Sequence, residues 1–184
     1  KERAVHVHDP KLARVVRMSR DLPGEELFQY VGDDGARHVV HSEDVNEYLR
    51  ALTGEAFTAK DFRTFAGTVL AARELVTLGP PATRAEAKRG LARAIESVAA
   101  RLGNTRAVCR KCYVHPAVLD AYAARTLESE LERRAPAAVE AEIAELAPDE
   151  ARVLRLLHGR LARREPSLVE SLERSLRHRA RRAA

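Results

Sequence analysis

Asn104-Thr-Arg-Ala-Val-Cys-Arg-Lys-Cys-Tyr113-Val-His-Pro116 is the stretch on which the reading of this chain turns, together with Lys60-Asp-Phe-Arg63-Thr64 upstream. Asn104 or Thr105 can cap a short helix that carries Tyr113, and Pro116 suits the first turn of the next helix. The segment thus sets a tyrosine at the end of a basic run, Arg106, Arg110 and Lys111, with Asn104 ahead of it. A phenol has an ordinary pKa of about 10, so it attacks poorly at neutral pH unless nearby cations favour the phenolate. Arginine suits that task because it stays charged and its planar fork matches two phosphate oxygens. Lys60 and Arg63 lie at i, i+3 on one helix face, so a single phosphate can meet both. A phenol among guanidinium and amide donors suits attack on a phosphodiester. The plainer alternatives are a half-buried Tyr113 ring with a hydrated hydroxyl, and an exposed Arg63 paired with Asp61 or Glu74.

Outward from that stretch, start and stop signals mark out helices. Asp9-Pro10 opens one that runs to about Ser19, with Leu12, Val15 and Val16 on one face. Leu27 to Val31 and Arg37 to Val40 flank Gly32-Asp-Asp-Gly35, which predicts a small β-hairpin. Ser42 is expected to cap a helix that ends at Thr53-Gly54. Thr58-Ala-Lys-Asp61 is a capping box with Asp in place of Glu and begins a long helix to about Leu78, stopped by Gly79-Pro-Pro81. On that helix Phe62, Phe65, Val69 and Leu70 are expected to face the core and leave the Lys60/Arg63 edge at the surface. Thr83-x-x-Glu86 leads a further helix to Leu102, with Gly103 as its C-terminal cap. Pro116 begins a helix expected to reach about Arg133, and Pro136, Pro148 and Pro166 each precede another helical segment. Residues 1–8 read as the end of a hairpin. The expected fold is therefore mainly α, multi-helical, with a small β-hairpin element near the N-terminus.

Composition agrees with that class. The chain has 184 residues, 32% charged and only 4% aromatic, so its core rests on Leu, Val and Ala. A net charge of +5 fits a polyanionic partner, although 27 Arg against 5 Lys is an imbalance that coding bias also produces. No run approaches the roughly 20 apolar residues of a membrane span, and no membrane partner is expected. Cys109 and Cys112 form a single C-x-x-C, short of the four ligands of a zinc site even with His115, and they read as reduced thiols. No acidic cluster has metal-ligand spacing. The remaining histidines are scattered. The C-terminal arginines Arg174, Arg177, Arg179, Arg181 and Arg182 read as a solvated helix face or a contact to DNA backbone. The chain begins at Lys1, and Val5-His-Val7 already alternates like a strand, which suggests a piece of something longer.

Thr58-Ala-Lys-Asp-Phe-Arg-Thr64 with Ala66-Gly-Thr-Val-Leu70, and Gly103-Asn-Thr-x-Ala-Val-Cys-Arg-Lys-x-Tyr-Val-His-Pro116, closely resemble the C-terminal catalytic domain of bacterial, poxvirus-like type IB DNA topoisomerases. Leu22-Pro-Gly-x-Glu-Leu-Phe-Gln-Tyr30 and Ser42-x-Asp-Val-Asn-x-Tyr-Leu49 are similar to the same family, so the resemblance covers about residues 1–125. It implies the multi-helical catalytic core shared by topoisomerases IB and tyrosine recombinases, over residues 1–184, without the upstream hairpin and N-terminal domain. It further implies that Tyr113 attacks a phosphodiester of double-stranded DNA to give a 3′-phosphotyrosyl link, while Arg63 and Asn104 donate to non-bridging oxygens. Lys60 would support the cleaved phosphate, and Arg106, Arg110 and Lys111 would contact DNA. Relaxation of supercoils and religation would then need neither ATP nor metal nor any other cofactor. A monomer working in the cytoplasm, on the nucleoid, is the expectation.

The family's pattern also asks for a first arginine and a general-acid lysine on an upstream hairpin. Lys1 lies at about that hairpin but matches a neighbour of the lysine better, so this chain alone is expected to bind DNA and cleave it poorly. A tyrosine recombinase would show His-x-x-Arg before its tyrosine, whereas His178-x-x-Arg181 comes after Tyr113. A helical DNA-binding module without catalysis is the alternative from another class.

Overall fold

The computed structural model describes residues 8–163. They divide into two compact units whose boundary in the chain falls between Phe62 and Arg63. Residues 1–7 and 164–184, with the expected first hairpin, Lys1, the segment after Pro166 and the C-terminal arginines, lie outside the described residues.

The first unit starts with helix α1 (Pro10–Arg20). The Asp9 carboxylate caps it by accepting from the Lys11 and Leu12 amides at 2.8 and 3.1 Å. Val16 is half-buried, while Leu12 and Val15 are exposed. Strand β1 (Gln29–Val31) pairs antiparallel with β2 (Arg37–Val39), Tyr30 opposite His38, and these two rings stack. The turn between them uses Gly35 at φ 73°, while the Asp34 carboxylate accepts from the Ala36 amide. Helix α2 (Ser42–Thr53) begins at Ser42, but its capping residue is His41, not Ser42. Asp44 accepts the His41 amide at 2.7 Å, so the carboxylate in the first turn rather than the serine hydroxyl satisfies this end.

Helix α3 (Ala59–Leu78) begins in the first unit and continues through the second. The expected capping box is present in altered form. Asp61 accepts from both the Thr58 amide and the Thr58 hydroxyl, at 2.9 and 2.6 Å. Phe62 does not enter a core: it is 51% exposed. Phe65, Val69 and Leu70 are half-buried, and the deepest α3 positions are Gly67, Thr68, Ala71, Ala72 and Leu75.

In the second unit α3 packs into one core with helix α4 (Arg84–Leu102) and helix α6 (Pro116–Ala123). Ala94, Ile95 and Val98 of α4 meet Val118, Ala121 and Tyr122 of α6, closed by Leu131, Val153 and Leu156. Small residues on α4 allow close approach, and Gly90 lies against the Tyr122 ring. Each fully buried Leu or Val here contributes about 2 kcal/mol.

Between α4 and α6 runs the short helix α5 (Arg106–Val108), continuing into a π-helical turn (Cys109–Tyr113). The helix expected from Pro116 to about Arg133 is broken into α6 and α7 (Leu127–Leu131). Arg125, at φ 62°, ends α6 in a left-handed cap. The Thr126 amide bonds back to the Ala121 carbonyl and the Arg125 amide to that of Tyr122, the double-bonded helix stop usually built on glycine. The Arg125 guanidinium also donates to the Ala82 carbonyl, which offsets the cost of that conformation. Helix α8 (Ala137–Glu142) follows Pro136, and a further helix, α9, is described over residues 148–163. Glu130 ties α7 to α9, accepting from Arg160 at 2.7 and 2.8 Å and from Arg163 at 2.9 Å. Those bonds, Arg160 first, hold the Glu130 carboxyl below its ordinary pKa. No helix among the described residues is long and apolar enough to cross a membrane.

Candidate active site

The end of α4 organises the site. Gly103 turns the chain at φ 66°, and the Gly103 and Asn104 amides both bond to the Ala99 carbonyl. That closure leaves the Leu102 carbonyl among the orphan acceptors of the last helical turn. It accepts from Arg63 Nη2 at 2.9 Å and from Asn104 Nδ2 at 3.3 Å. Two donors far apart in sequence are thereby aimed from the same oxygen. The ion pairs with Asp61 or Glu74 considered for Arg63 give way to this bond, and Asp61 is engaged with Thr58.

Tyr113 lies beside them. The Arg63 guanidinium carbon is 5.2 Å from the centroid of the Tyr113 ring, a cation–π contact that fixes one group against the other. Arg63 also bears on Cys109: burial pushes that thiol up from its ordinary pKa, and the guanidinium charge opposes the shift.

The segment carrying Tyr113 is anchored by side chains on either side of it. Thr105, not Asn104, caps α5, accepting from the Val108 amide at 3.3 Å. Cys109 and Val114 are buried, at 0% and 3% exposure, while Tyr113 is half-buried and Arg106, Arg110 and Lys111 are exposed. A π-helical turn carries one residue more per turn than an α-helix would use and often marks a functional position. Here the tyrosine is its last residue.

Helix α3 meets this segment through backbone atoms. The Thr64 hydroxyl donates to the Cys112 carbonyl at 3.1 Å. The Thr68 hydroxyl accepts from the His115 amide at 3.0 Å and donates to the Thr64 carbonyl at 2.7 Å. Between them Gly67 is so near that an added Cβ would lie 2.3 Å from the Tyr113 carbonyl oxygen. His115 caps α6, its Nδ1 accepting from the Ala117 amide at 3.1 Å.

Tyr113, Arg63 and Asn104 are thus brought together within the second unit. Lys60, on the first turn of α3, belongs to the first unit and is exposed. Arg106 makes a loose ion pair of 3.7 Å with Glu96, both 67% exposed, and such a pair restrains little. Sequence reasoning missed the Leu102 carbonyl, Thr64, Gly67 and Thr68 as parts of the site. A backbone oxygen carries no residue-type signal. Two threonines at i, i+4 around a glycine, in mid-helix where alanine is preferred, were the available clue.

All of these residues lie within a stretch that matches a known family. The family described as eukaryotic DNA topoisomerase I, catalytic core, matches residues 1–137. DNA topoisomerase 1B of Acanthamoeba polyphaga mimivirus is 34% identical over an alignment 114 residues long, which covers 58% of this chain and 34% of the viral protein. The chain spans about a third of the length of that relative. With Arg63, Asn104 and Tyr113 inside a match that takes in most of the chain, the protein belongs to the eukaryotic DNA topoisomerase I catalytic-core family.

Proposed function

We propose that this chain is the catalytic part of a type IB DNA topoisomerase, which nicks one strand of duplex DNA through a 3′-phosphotyrosyl intermediate and reseals it. The observation that carries this reading is the convergence of Arg63 and Asn104 on one oxygen beside the Tyr113 ring.

In the forward step the Tyr113 hydroxyl oxygen attacks phosphorus in line, the bond from phosphorus to the 5′ oxygen breaks, and that oxygen leaves as a 5′-hydroxyl. One phosphodiester becomes another, so the bond energy is retained and the 5′-hydroxyl can reverse the attack without ATP. Arg63 and Asn104 exchange the Leu102 carbonyl for non-bridging phosphate oxygens and meet the charge of the transition state. Removing a preorganised donor of this kind costs about 3–4 kcal/mol of transition-state stabilisation. Lys60 supports the same phosphate, and Arg106, Arg110 and Lys111 lie along the flanking backbone, a contact that weakens as salt rises.

The bacterial, poxvirus-like branch, the C-terminal position of this segment in a longer enzyme, a monomeric state and work on the cytoplasmic nucleoid rest on the residue pattern alone. The mimivirus relative is viral. A tyrosine recombinase has no observation here in its favour.

The test is trapping of a covalent protein–DNA adduct. Duplexes carrying a 5′-bridging sulfur at successive linkages suit it, because a thiolate leaves without a general acid. An adduct formed by the wild-type chain and abolished in Tyr113→Phe, with DNA affinity within about twofold, is the expected result. DNA binding without adduct in any duplex would leave a binding module instead.

A further inference from the structure

We propose that Thr64 and Thr68 are positioning residues, which aim Tyr113 by holding the backbone on both sides of it; this rests on the nucleophile role given to Tyr113 above. Three contacts fall on one face of α3 within five residues. Thr64 donates to the carbonyl just before Tyr113, Gly67 lies under the Tyr113 carbonyl itself, and Thr68 accepts the amide of His115.

The segment needs such a seat because of how it ends. The π-helical turn stops at Tyr113, and Val114 is extended at φ −128° and ψ 121°. Helical bonding is therefore interrupted where the tyrosine sits, and its neighbours' peptide groups need partners from elsewhere. Thr64 and Thr68 supply them. Thr68 is 1% exposed, so no water can take over its bonds without opening the core. Its hydroxyl uses both capacities, donating to the Thr64 carbonyl while accepting from His115, which places the two threonines in one chain of bonds.

The same helix presents Arg63, one residue before Thr64, against the Tyr113 ring. One rigid element thereby fixes the nucleophile's backbone and the guanidinium that faces its ring. In-line attack tolerates little error, and about 1 Å of misplacement costs about 100-fold in rate. A seat that acts only on peptide groups allows this tuning without touching DNA.

The variants are Thr68→Val, which keeps the shape and removes both bonds, Thr68→Ser, which restores the hydroxyl, and Thr64→Val. Single-turnover adduct formation on the bridging-sulfur duplexes is measured at saturating protein. Alongside it, fluorine spectra of 3-fluorotyrosine-labelled protein are recorded, the Tyr113 signal being assigned with Tyr113→Phe. Adduct formation slowed about 10- to 100-fold in Thr68→Val and in Thr64→Val is expected. DNA affinity should stay within twofold, with recovery to within about threefold in Thr68→Ser and a shifted Tyr113 signal in the valine variants. Equal rates in wild type and Thr68→Val would overturn the seat and leave the proposed function standing. With no adduct from wild type the proposed function fails, and the spectra judge the seat by themselves: an unmoved Tyr113 signal in Thr68→Val overturns it, and a shifted one upholds it.

Discussion

Replacing Gly67 with alanine sets two effects of opposite sign against each other. In an open helix the change stabilises by about 0.5–1 kcal/mol, because glycine loses more backbone freedom on folding. At this position the new methyl group would sit 2.3 Å from the Tyr113 carbonyl oxygen and 3.2 Å from Leu102 Cδ1. Ordinary contact begins near about 3.5 Å, so α3 and the Tyr113 segment must part by about 1 Å. The nearest atom is backbone and cannot swing aside. Overpacking of this kind costs about 1–3 kcal/mol, so after the helix gain the net loss lies between about 0 and 2.5 kcal/mol, with a central value of about 1 kcal/mol. For a chain of this size that central value lowers the melting temperature by about 2–4 °C. Thermal unfolding followed by circular dichroism gives the value. Gly159, on α9, is the control, since an added Cβ there meets nothing within 4 Å among the described residues. Gly159→Ala should raise the melting temperature by about 2–3 °C. A Gly67→Ala protein that gains stability as the Gly159 variant does would refute the close approach of α3 to Tyr113.

Arg63→Lys keeps the charge and loses the fork, so adduct formation on the bridging-sulfur duplexes should fall at least about 100-fold; a rate near wild type would mean that charge alone suffices. Arg155 donates to both Glu140 oxygens at 2.8 Å, and with the Ala135 amide it holds that carboxyl down from 4.5 to about 2. A depressed carboxyl lends stability that is full above its unfolded value of 4.5 and drains as pH falls toward about 2. Denaturant titrations across that window should lose stability more steeply in wild type than in Glu140→Gln, and parallel curves would contradict the pair. Of the two thiols, Cys109 is 0% exposed with its pKa pushed up by burial, whereas Cys112 is partly open. A disulfide dye should therefore label one thiol quickly in the native protein and both in denaturant; two fast thiols would place Cys109 at the surface.

Most helix ends were legible because their chemistry is local. Asp9, the pair Thr58 and Asp61, the pair Thr83 and Glu86, and Gly103 act on backbone groups a few residues away, so the residue types announce them. The stop at Arg125 had no such announcement. Arginine there takes a glycine's conformation because its side chain reaches Ala82 on a distant segment. Burial on α3 was misjudged for a related reason: apolar size pointed to Phe62, while contact with the Tyr113 segment requires the small residues Gly67 and Thr68. At the site, residue chemistry singled out Tyr113 and the basic residues around it, and the resemblance carried by the motifs added the roles expected of Arg63 and Asn104. The Leu102 carbonyl that gathers two of them is invisible to residue type.

The bonds that assemble this site also bear on how the chain folds. Arg63 reaches Leu102 across 39 positions, Thr68 reaches His115 across 47 and Thr64 reaches Cys112 across 48. Helical turns close in well under a microsecond, whereas contacts of such separation wait for chain closure and collapse. Helices α3 and α4 can therefore exist before the seat does. A partly folded copy emerging from synthesis carries the phenol and the arginine but not their alignment. On the proposed function, strand cutting becomes available only when these long-range contacts are made.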